Sequence, residues 1–408
     1  MRNVSWAAAF AVVVLVATIV GAVASAEPGP QAPWGRRSVS LVSAKALQRL
    51  VKVHVRVRGG RRWVIYVDGR PSGFSTATVG YARVTRPGRH RIFVALAGRD
   101  NLALLPLVRS RTLSVTLSRP EGPVVAAAGD IACDPNDVAF NEGRGMAHRC
   151  HQGATSNLLV NAGLTAVLAL GDLQYYCGAL AAFMYAYDGS WGRVRSITYP
   201  APGNHEYQLS GAYGCAAGAQ GYFTYWGTAA GDPSRGYYSF DIGTWHLVSL
   251  NSNCDEIGGC GPGSPEERWL RADLAAHAGV RCTLAYWHHP PFSSRVTQGG
   301  TPMTMALLQD LYAAGVELLL NGHEHNYERF APQTPTGVAD PTRGVREFVV
   351  GTGGEDLRPF GTPIANSEVR QDDTFGVLEL TLLPTRYTWQ FIPEAGGTFT
   401  DSGSSPCH

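Results

Sequence analysis

The sequence predicts an α/β protein preceded by a small all-β domain. Three observations predict it. Between Val39 and Ser118 apolar and polar residues alternate and no helical period appears. From Val124 onward short apolar runs alternate with helical stretches, as expected of a sheet covered by helices. Charge divides at the same place. Residues 31–120 hold 18 Arg and Lys against 2 Asp and Glu, whereas residues 121–408 hold 15 against 29. The net +2 of the whole chain conceals this split, and such asymmetry marks a domain boundary. A length of 408 residues is also too great for one small core. With 45% hydrophobic and 16% charged residues the chain is globular, which excludes a disordered class.

Residues 1–26 read as a signal peptide. Arg2 supplies the positive start, Ala7 to Val20 the apolar run, and Ala24-Ser25-Ala26 the small-residue cleavage site. The protein is therefore expected to be secreted. No later run is long and apolar enough to suggest a membrane span. Residues 27–38 are a Pro/Gly-rich, flexible lead-in. Residues 39–119 form the basic domain. Val51, Val53, Val55 and Val57 alternate with Lys52, His54, Arg56 and Arg58, a strand with one wet face. Arg61 to Val67 repeats the pattern and ends in the turn pair Asp68-Gly69. Arg89 to Ala97 and Thr112 to Leu117 are further strands, so a small β-sandwich is expected.

Residues 120–123 are a linker, and residues 124–408 form the second domain. Val124 to Ala128 and Ala166 to Leu170 are buried strands around a helix expected over Ala154 to Ala162. Ile197 to Pro200, Tyr237 to Ile242, Trp245 to Leu250, Thr283 to Trp287 and Val316 to Leu320 are strands as well. Ser264-Pro265-Glu266-Glu267 is a capping box with Pro at the first helical position, opening a helix to about His277. Thr304 to Ala314 is helical. Phe348 to Gly351, Gly376 to Leu382 and Tyr387 to Ile392 close the domain with strands.

All eight cysteines lie beyond the leader, and an even count in an exported chain favours disulfides. Only Cys254–Cys260, across a Gly-rich loop, is a local pairing.

Five patches of ligand-type residues stand just after apolar runs: Gly129-Asp130, Gly171-Asp172, Gly203-Asn204-His205-Glu206, His288-His289-Pro290 and Gly322-His323-Glu324-His325. Each alone is an ordinary turn or loop sequence. Together, at strand ends of one domain, they offer enough oxygen and nitrogen donors for two metal ions, the makings of a phosphoryl-transfer site.

In order and residue type these patches resemble the calcineurin-like metallophosphoesterase family over roughly Val124 to Ile392. Ala132 stands where many members carry a metal-binding His, and Tyr175 follows Gly171-Asp172. That combination is similar to the purple acid phosphatase branch. The resemblance implies a two-sheet αββα metallophosphoesterase sandwich, after an immunoglobulin-like or fibronectin-like β-sandwich. It implies that Asp130, Asp172, Tyr175 and His325 hold one metal ion. Asp172, Asn204, His288 and His323 would hold the second. His288 is preferred to His289 because it lies nearer the strand end and fits the family's His-x-Pro pattern. The cofactors implied are Fe(III), suited to a phenolate, and a divalent Zn, Mn or Fe. The activity implied is phosphoric ester hydrolysis by a metal-bound hydroxide, on a monoester or, with the same centre, a diester or nucleotide.

Asp172 is expected to be catalytic as the shared ligand. His205 is the candidate general acid or phosphate-orienting group. Asn204, His205, His289 and Arg295 are candidate substrate contacts. Glu206 and Glu324 are expected to orient neighbouring histidines. One departure is clear. Plant-type members carry extra substrate-binding histidines after the fourth motif, where this chain has Phe292-Ser293-Ser294-Arg295. Gly351-Thr352-Gly353-Gly354 lacks the Lys of a P-loop and reads as a wall of the site. The substrate partner expected is a small phosphate ester. The basic domain is expected to neutralise the acidic one across their interface, to act as a spacer, or to contact a polyanion outside the protein.

Overall fold

A computed structural model describes residues 38–58, 62–97, 108–118, 120–211, 214–295 and 300–408. The expected signal peptide and most of the lead-in lie outside the described residues. The first seven strands are β1 (Ser38–Leu47), β2 (Leu50–Arg58), β3 (Trp63–Val67), β4 (Arg70–Ser75), β5 (Val79–Arg83), β6 (Gly88–Leu96) and β7 (Leu113–Leu117). They make two antiparallel sheets, ordered β1-β2-β5 and β4-β3-β6-β7. Strand alternation decides which side chains meet between them. Val51, Val53 and Val55 of β2 pack against Ile65 of β3 and Ile92 and Val94 of β6, while Lys52, His54, Arg56 and Arg58 point the other way. The Asp68-Gly69 turn joins β3 to β4, with both residues at positive φ.

The following strands build two larger sheets. β8 (Val124–Ala128), β9 (Ala166–Leu170) and β10 (Thr198–Ala201) run parallel; β11 (Tyr238–Ile242), β12 (Trp245–Ser249), β13 (Cys282–Tyr286), β14 (Leu318–Asn321), β15 (Tyr327–Phe330), β16 (Arg346–Val350) and β17 (Ser367–Gln371) follow, and β18 (Gly376–Leu383), β19 (Arg386–Pro393) and β20 (Ser402–Pro406) end the chain. The sheet orders are β10-β9-β8-β18-β19-β20 and β11-β12-β13-β14-β16-β15-β17. Leu247, Leu284, Leu320 and Phe348 of the second sheet share one core with Val377, Leu380, Phe391 and Ile392 of the first. Helices Pro265–Ala276 and Met305–Ala313 cover the outer side of the seven-stranded sheet through Leu270, Leu274, Leu307 and Leu311. The fold is thus a mixed α/β sandwich behind a small β-sandwich.

Ser264 caps its helix as expected, its hydroxyl accepting from the Glu267 N–H at 3.2 Å. The helix expected over Ala154 to Ala162 is shorter, Gln152–Ser156. Asn161 adopts a left-handed conformation and Gly163 follows, so the chain turns there instead. Four disulfides join Cys133 to Cys150, Cys177 to Cys215, Cys254 to Cys260 and Cys282 to Cys407. No described helix is long and apolar enough to cross a membrane.

The small sandwich meets the large one through Leu50 and Tyr81, which join the larger core, and through Phe74, which packs on Gly396. Charge pairing across this contact is concentrated on one acid. Buried Glu379 faces Arg49 at 3.6 Å and also pairs with Arg83.

Candidate metal centre

The parallel strands of both large sheets end at the same edge. β8, β9 and β10 deliver Asp130, Asp172 and Asn204, and β13 and β14 deliver His288 and the segment His323 to His325. Loops at such an edge converge while the strands hold them rigid. Asp130, Asp172 and His323 all sit at positive φ, at 58°, 50° and 69°. For residues with a Cβ this costs roughly 1–3 kcal/mol each and persists where the surroundings enforce it. The motif glycines supply part of that enforcement. A Cβ on Gly171 would lie 2.6 Å from the His288 ring, and one on Gly322 or Gly351 would lie 2.9 Å from an Asp130 oxygen. A Cβ on Gly203 would overlap Asp172. Gly351 to Gly354 thus backs the Asp130 loop, as a wall does.

The expected ligands gather into two groups. In the first, the Tyr175 hydroxyl lies 3.0 Å from Asp130 Oδ1, 3.1 Å from Asp172 Oδ2 and 2.9 Å from His325 Nε2. One phenolic hydrogen cannot satisfy three such neighbours. In the second, Asn204 Oδ1 lies 3.1 Å from both His288 Nε2 and His323 Nδ1, which are 3.2 Å from each other. Asp172 Oδ2 is also 3.2 Å from His288 Nε2, so the carboxylate stands between the two groups. Five of these seven residues are buried, and Asn204 and His323 are partly so. Such convergence of lone-pair atoms fits a pair of cations.

The outer contacts aim the histidines inward. His288 Nδ1 donates to the Leu170 carbonyl at 2.9 Å, which turns Nε2 to the centre. His325 Nδ1 is held by Asp356, with Glu355 at 3.7 Å. The pocket calls for positive charge. Burial pushes His288 and His325 down, but Asp172 and Asp130 outweigh it and raise them to about 9 and about 10. Burial likewise raises Asp172, yet His288 and His205 hold it well below the ordinary carboxylate range. Burial and the carboxylates of Asp130 and Asp172 push the Tyr175 phenol well up; only a nearby cation would make its phenolate accessible.

His205 lies at the rim. Its Nδ1 donates to the Tyr176 carbonyl at 2.7 Å, and its Nε2 faces Asp172 at 3.8 Å. His289 stands beside the second group, its ring centroid 4.4 Å from that of His323. Its Nδ1 meets Ser252 Oγ at 2.8 Å, and burial beside His288 lowers it to about 3, so it is neutral. Asn204, His289 and His323 open onto a cavity of about 630 Å³, walled further by Tyr207, Ser252 and Asp255. Arg295 is not among the residues lining it. Its guanidinium instead pairs with Glu324 at 3.0 Å.

Glu206 departs from the histidine-orienting role expected of it. Its buried carboxylate accepts the N–H groups of Gly203, Asp172, Leu173 and Gln174, at 2.7, 3.0, 2.9 and 3.2 Å. Burial and the Asp172 charge push it up to about 7, against the pull of the Gly203 and Gln174 N–H groups. With both oxygens taken by N–H donors, the carboxylate is the form that fits. Sequence reasoning missed Asp356, Ser252 and the Tyr176 carbonyl. Only the position of Asp356 just beyond the Gly351–Gly354 wall hinted at a role.

A model of the calcineurin-like phosphoesterases matches residues 149–327, a span that includes every expected ligand except Asp130. An uncharacterized protein of Mycobacterium tuberculosis is 30% identical over 327 residues, covering 71% of this chain and 55% of that protein. Purple acid phosphatase 15 of Arabidopsis thaliana is 25% identical over 319 residues, covering 70% and 53%. The chain therefore spans about half the length of these relatives. A solved purple acid phosphatase from yellow lupin seeds shares the fold, with a TM-score of 0.57 at 16% identity over 90% of this chain and 73% of that one. With its strand-end aspartates, asparagine and histidines, the chain carries a calcineurin-like phosphoesterase domain of the purple acid phosphatase-like branch.

Proposed function

We propose that this protein is a metal-dependent phosphoric ester hydrolase with a dinuclear centre, acting on phosphomonoesters outside the reducing cytosol. The observation that carries the reading is the Tyr175 hydroxyl, wedged among Asp130, Asp172 and His325 beside the Asn204–His288–His323 group. Asp130, Tyr175 and His325 would hold one ion, Asn204, His288 and His323 the other, and Asp172 both. Fe(III) suits the phenolate-bearing position, and a divalent Zn, Mn or Fe the other. Two ions bound there would lower the pKa of water towards neutrality and neutralise charge on the phosphate.

The side chains supply the rest. His205, with Nδ1 committed to the Tyr176 carbonyl, turns Nε2 towards Asp172 and can hand a proton to the leaving oxygen. With the Ser252 hydroxyl as donor to His289 Nδ1, the neutral imidazole would carry its hydrogen on Nε2, where it can bond a phosphate oxygen. Asn204 turns Oδ1 to the histidines, leaving its NH₂ for substrate. Three such donors suit a monoester, which has three unesterified oxygens, better than a diester. Arg295 joins them only by leaving Glu324. The four disulfides support an oxidising compartment.

Metal analysis of the purified protein, combined with turnover of a nitrophenyl phosphate and a bis-nitrophenyl phosphate, tests this reading. Two metal ions per chain and faster monoester turnover are expected, with turnover abolished in Asp172→Ala. A metal-free protein, or an Asp172→Ala variant with near-normal turnover, overturns the proposal. Faster diester turnover overturns the monoester assignment.

A further inference from the structure

We propose that the outer face of the β1–β2 ribbon is a docking strip for a linear, base-free polyphosphate. Along β2, Lys52, His54, Arg56 and Arg58 alternate with core valines and share the outer face. Residues two apart on a strand stand roughly 6.6 Å apart, so this row extends over about 20 Å. The antiparallel register sets a second row beside it. Arg58 faces Ser38, Arg56 faces Ser40, His54 faces Ser43 and Lys52 faces Lys45. The ribbon thus offers Lys52, Arg56 and Arg58 in one row with Lys45 beside Lys52, four fixed cations flanked by serine hydroxyls.

Among the described residues, no acidic side chain neutralises this row. Across the contact between the two sandwiches, Glu379 takes Arg49 and Arg83, neither of which belongs to this row. Among the described residues, Lys45, Lys52, Arg56 and Arg58 make no ion pair, and the three strands β1, β2 and β5 contain no Asp or Glu. Arg56, Arg58, His54, Lys45, Ser38, Ser40 and Ser43 are all exposed. The ligand must therefore be anionic and extended.

The same face argues against recognition of bases. Proteins that hold single-stranded nucleic acid combine cations with aromatic platforms on which bases stack. The aromatic ring of this sheet, Tyr81, is buried, with Lys52 Nζ 5.7 Å from its centroid. A ligand lying here is gripped by its phosphates alone, through Coulomb attraction and release of counterions. This inference is independent of the chemistry at the metal centre.

Binding of inorganic polyphosphate to the full chain, followed from 50 to 200 mM salt, is the test. At about 0.7 per contact and four contacts, affinity should fall roughly fifty-fold over that range. Arg56→Ser combined with Arg58→Ser should lower the slope of log affinity against log salt by about 1.4. Arg89→Ser combined with Arg111→Ser removes the same charge outside this ribbon and should leave binding near that of the parent. The proposal falls if no salt-dependent binding is seen, or if both double variants lose affinity equally, because net charge alone would then explain it. It also falls if oligo-thymidylate at equal phosphate concentration binds more tightly, which would make a nucleic acid the partner.

Discussion

Replacing Glu206 by Gln should loosen the whole centre, although Glu206 touches no expected metal ion. Two backbone N–H groups converge on each of its oxygens: Leu173 and Gln174 on Oε1, Asp172 and Gly203 on Oε2. Glutamine keeps one oxygen and turns the other into NH₂. Two buried N–H groups then lose their acceptor and face another donor. At about 1–3 kcal/mol for each orphaned group, the loss is roughly 2–6 kcal/mol. At the few degrees per kcal/mol usual for domains of this size, Tm should fall by about 5–15 °C. Because the carboxylate ties the Asp172 loop to the Asn204 loop, metal content should fall with it. Differential scanning calorimetry and metal analysis on Glu206→Gln, with Glu206→Ala as the more severe variant, read both effects. A Glu206→Gln protein that melts within about 1 °C of the parent, with full metal, refutes the reasoning.

Tyr175→Phe removes the hydroxyl that lies among Asp130, Asp172 and His325. If that oxygen ligates ferric iron, the parent is purple to pink and the variant loses the visible band, as absorption spectroscopy would show; an iron-containing parent without colour removes the assignment. His205→Asn should lower kcat by about 10²–10⁴-fold on alkyl phosphates that need a protonated leaving group, and much less on nitrophenyl phosphate, with metal content unchanged. Equal loss on both substrates would deny His205 the acid's role. His246, far from the centre, bonds Asp273 at 2.8 Å and Asp241 at 2.9 Å. Burial pushes this imidazole down, but the two carboxylates outweigh it and leave it raised. Its stabilisation is therefore complete below the unfolded value of about 6.5 and fades as pH rises through the higher folded value. The Tm difference between the parent and His246→Gln should be larger at pH 5.5 than at pH 8.5, and the reverse order would contradict the pairing.

The parts legible in the sequence were those with strong local signals. Four of the five parallel strands that carry expected ligands are short runs buried on both faces, β10 at the sheet edge being the exception, and the Ser264 cap declares its own helix. Strands β5, β15, β17 and β20 carry no comparable pattern. β20 reads Ser-Gly-Ser-Ser-Pro, a poor strand former, and is ordered by pairing with β19 and by the disulfide that follows it. Between Gly178 and Gly231 the helical pieces are too brief to show a period, and Phe183, Trp191, Tyr222 and Tyr225 fix them by packing. At the site, the expected ligands announced themselves by residue type beside a glycine or proline. Glu206 and Arg295 did not reveal their partners, because a carboxylate on backbone N–H groups and one on a guanidinium look alike in a sequence.

The division of the ligands between the two sheets has a mechanical consequence. Asp130, Asp172 and Asn204 hang from the six-stranded sheet, while His288, His323 and His325 follow strands of the seven-stranded one. Ions shared by these residues would act as rivets through the layers of the sandwich. The tighter they bind, the more the folded state is favoured over the unfolded chain, by about 4 kcal/mol at a thousandfold excess over Kd. Chelation would then unfasten a load-carrying joint as well as silence a reaction, and resistance to heat would report how fully the centre is filled.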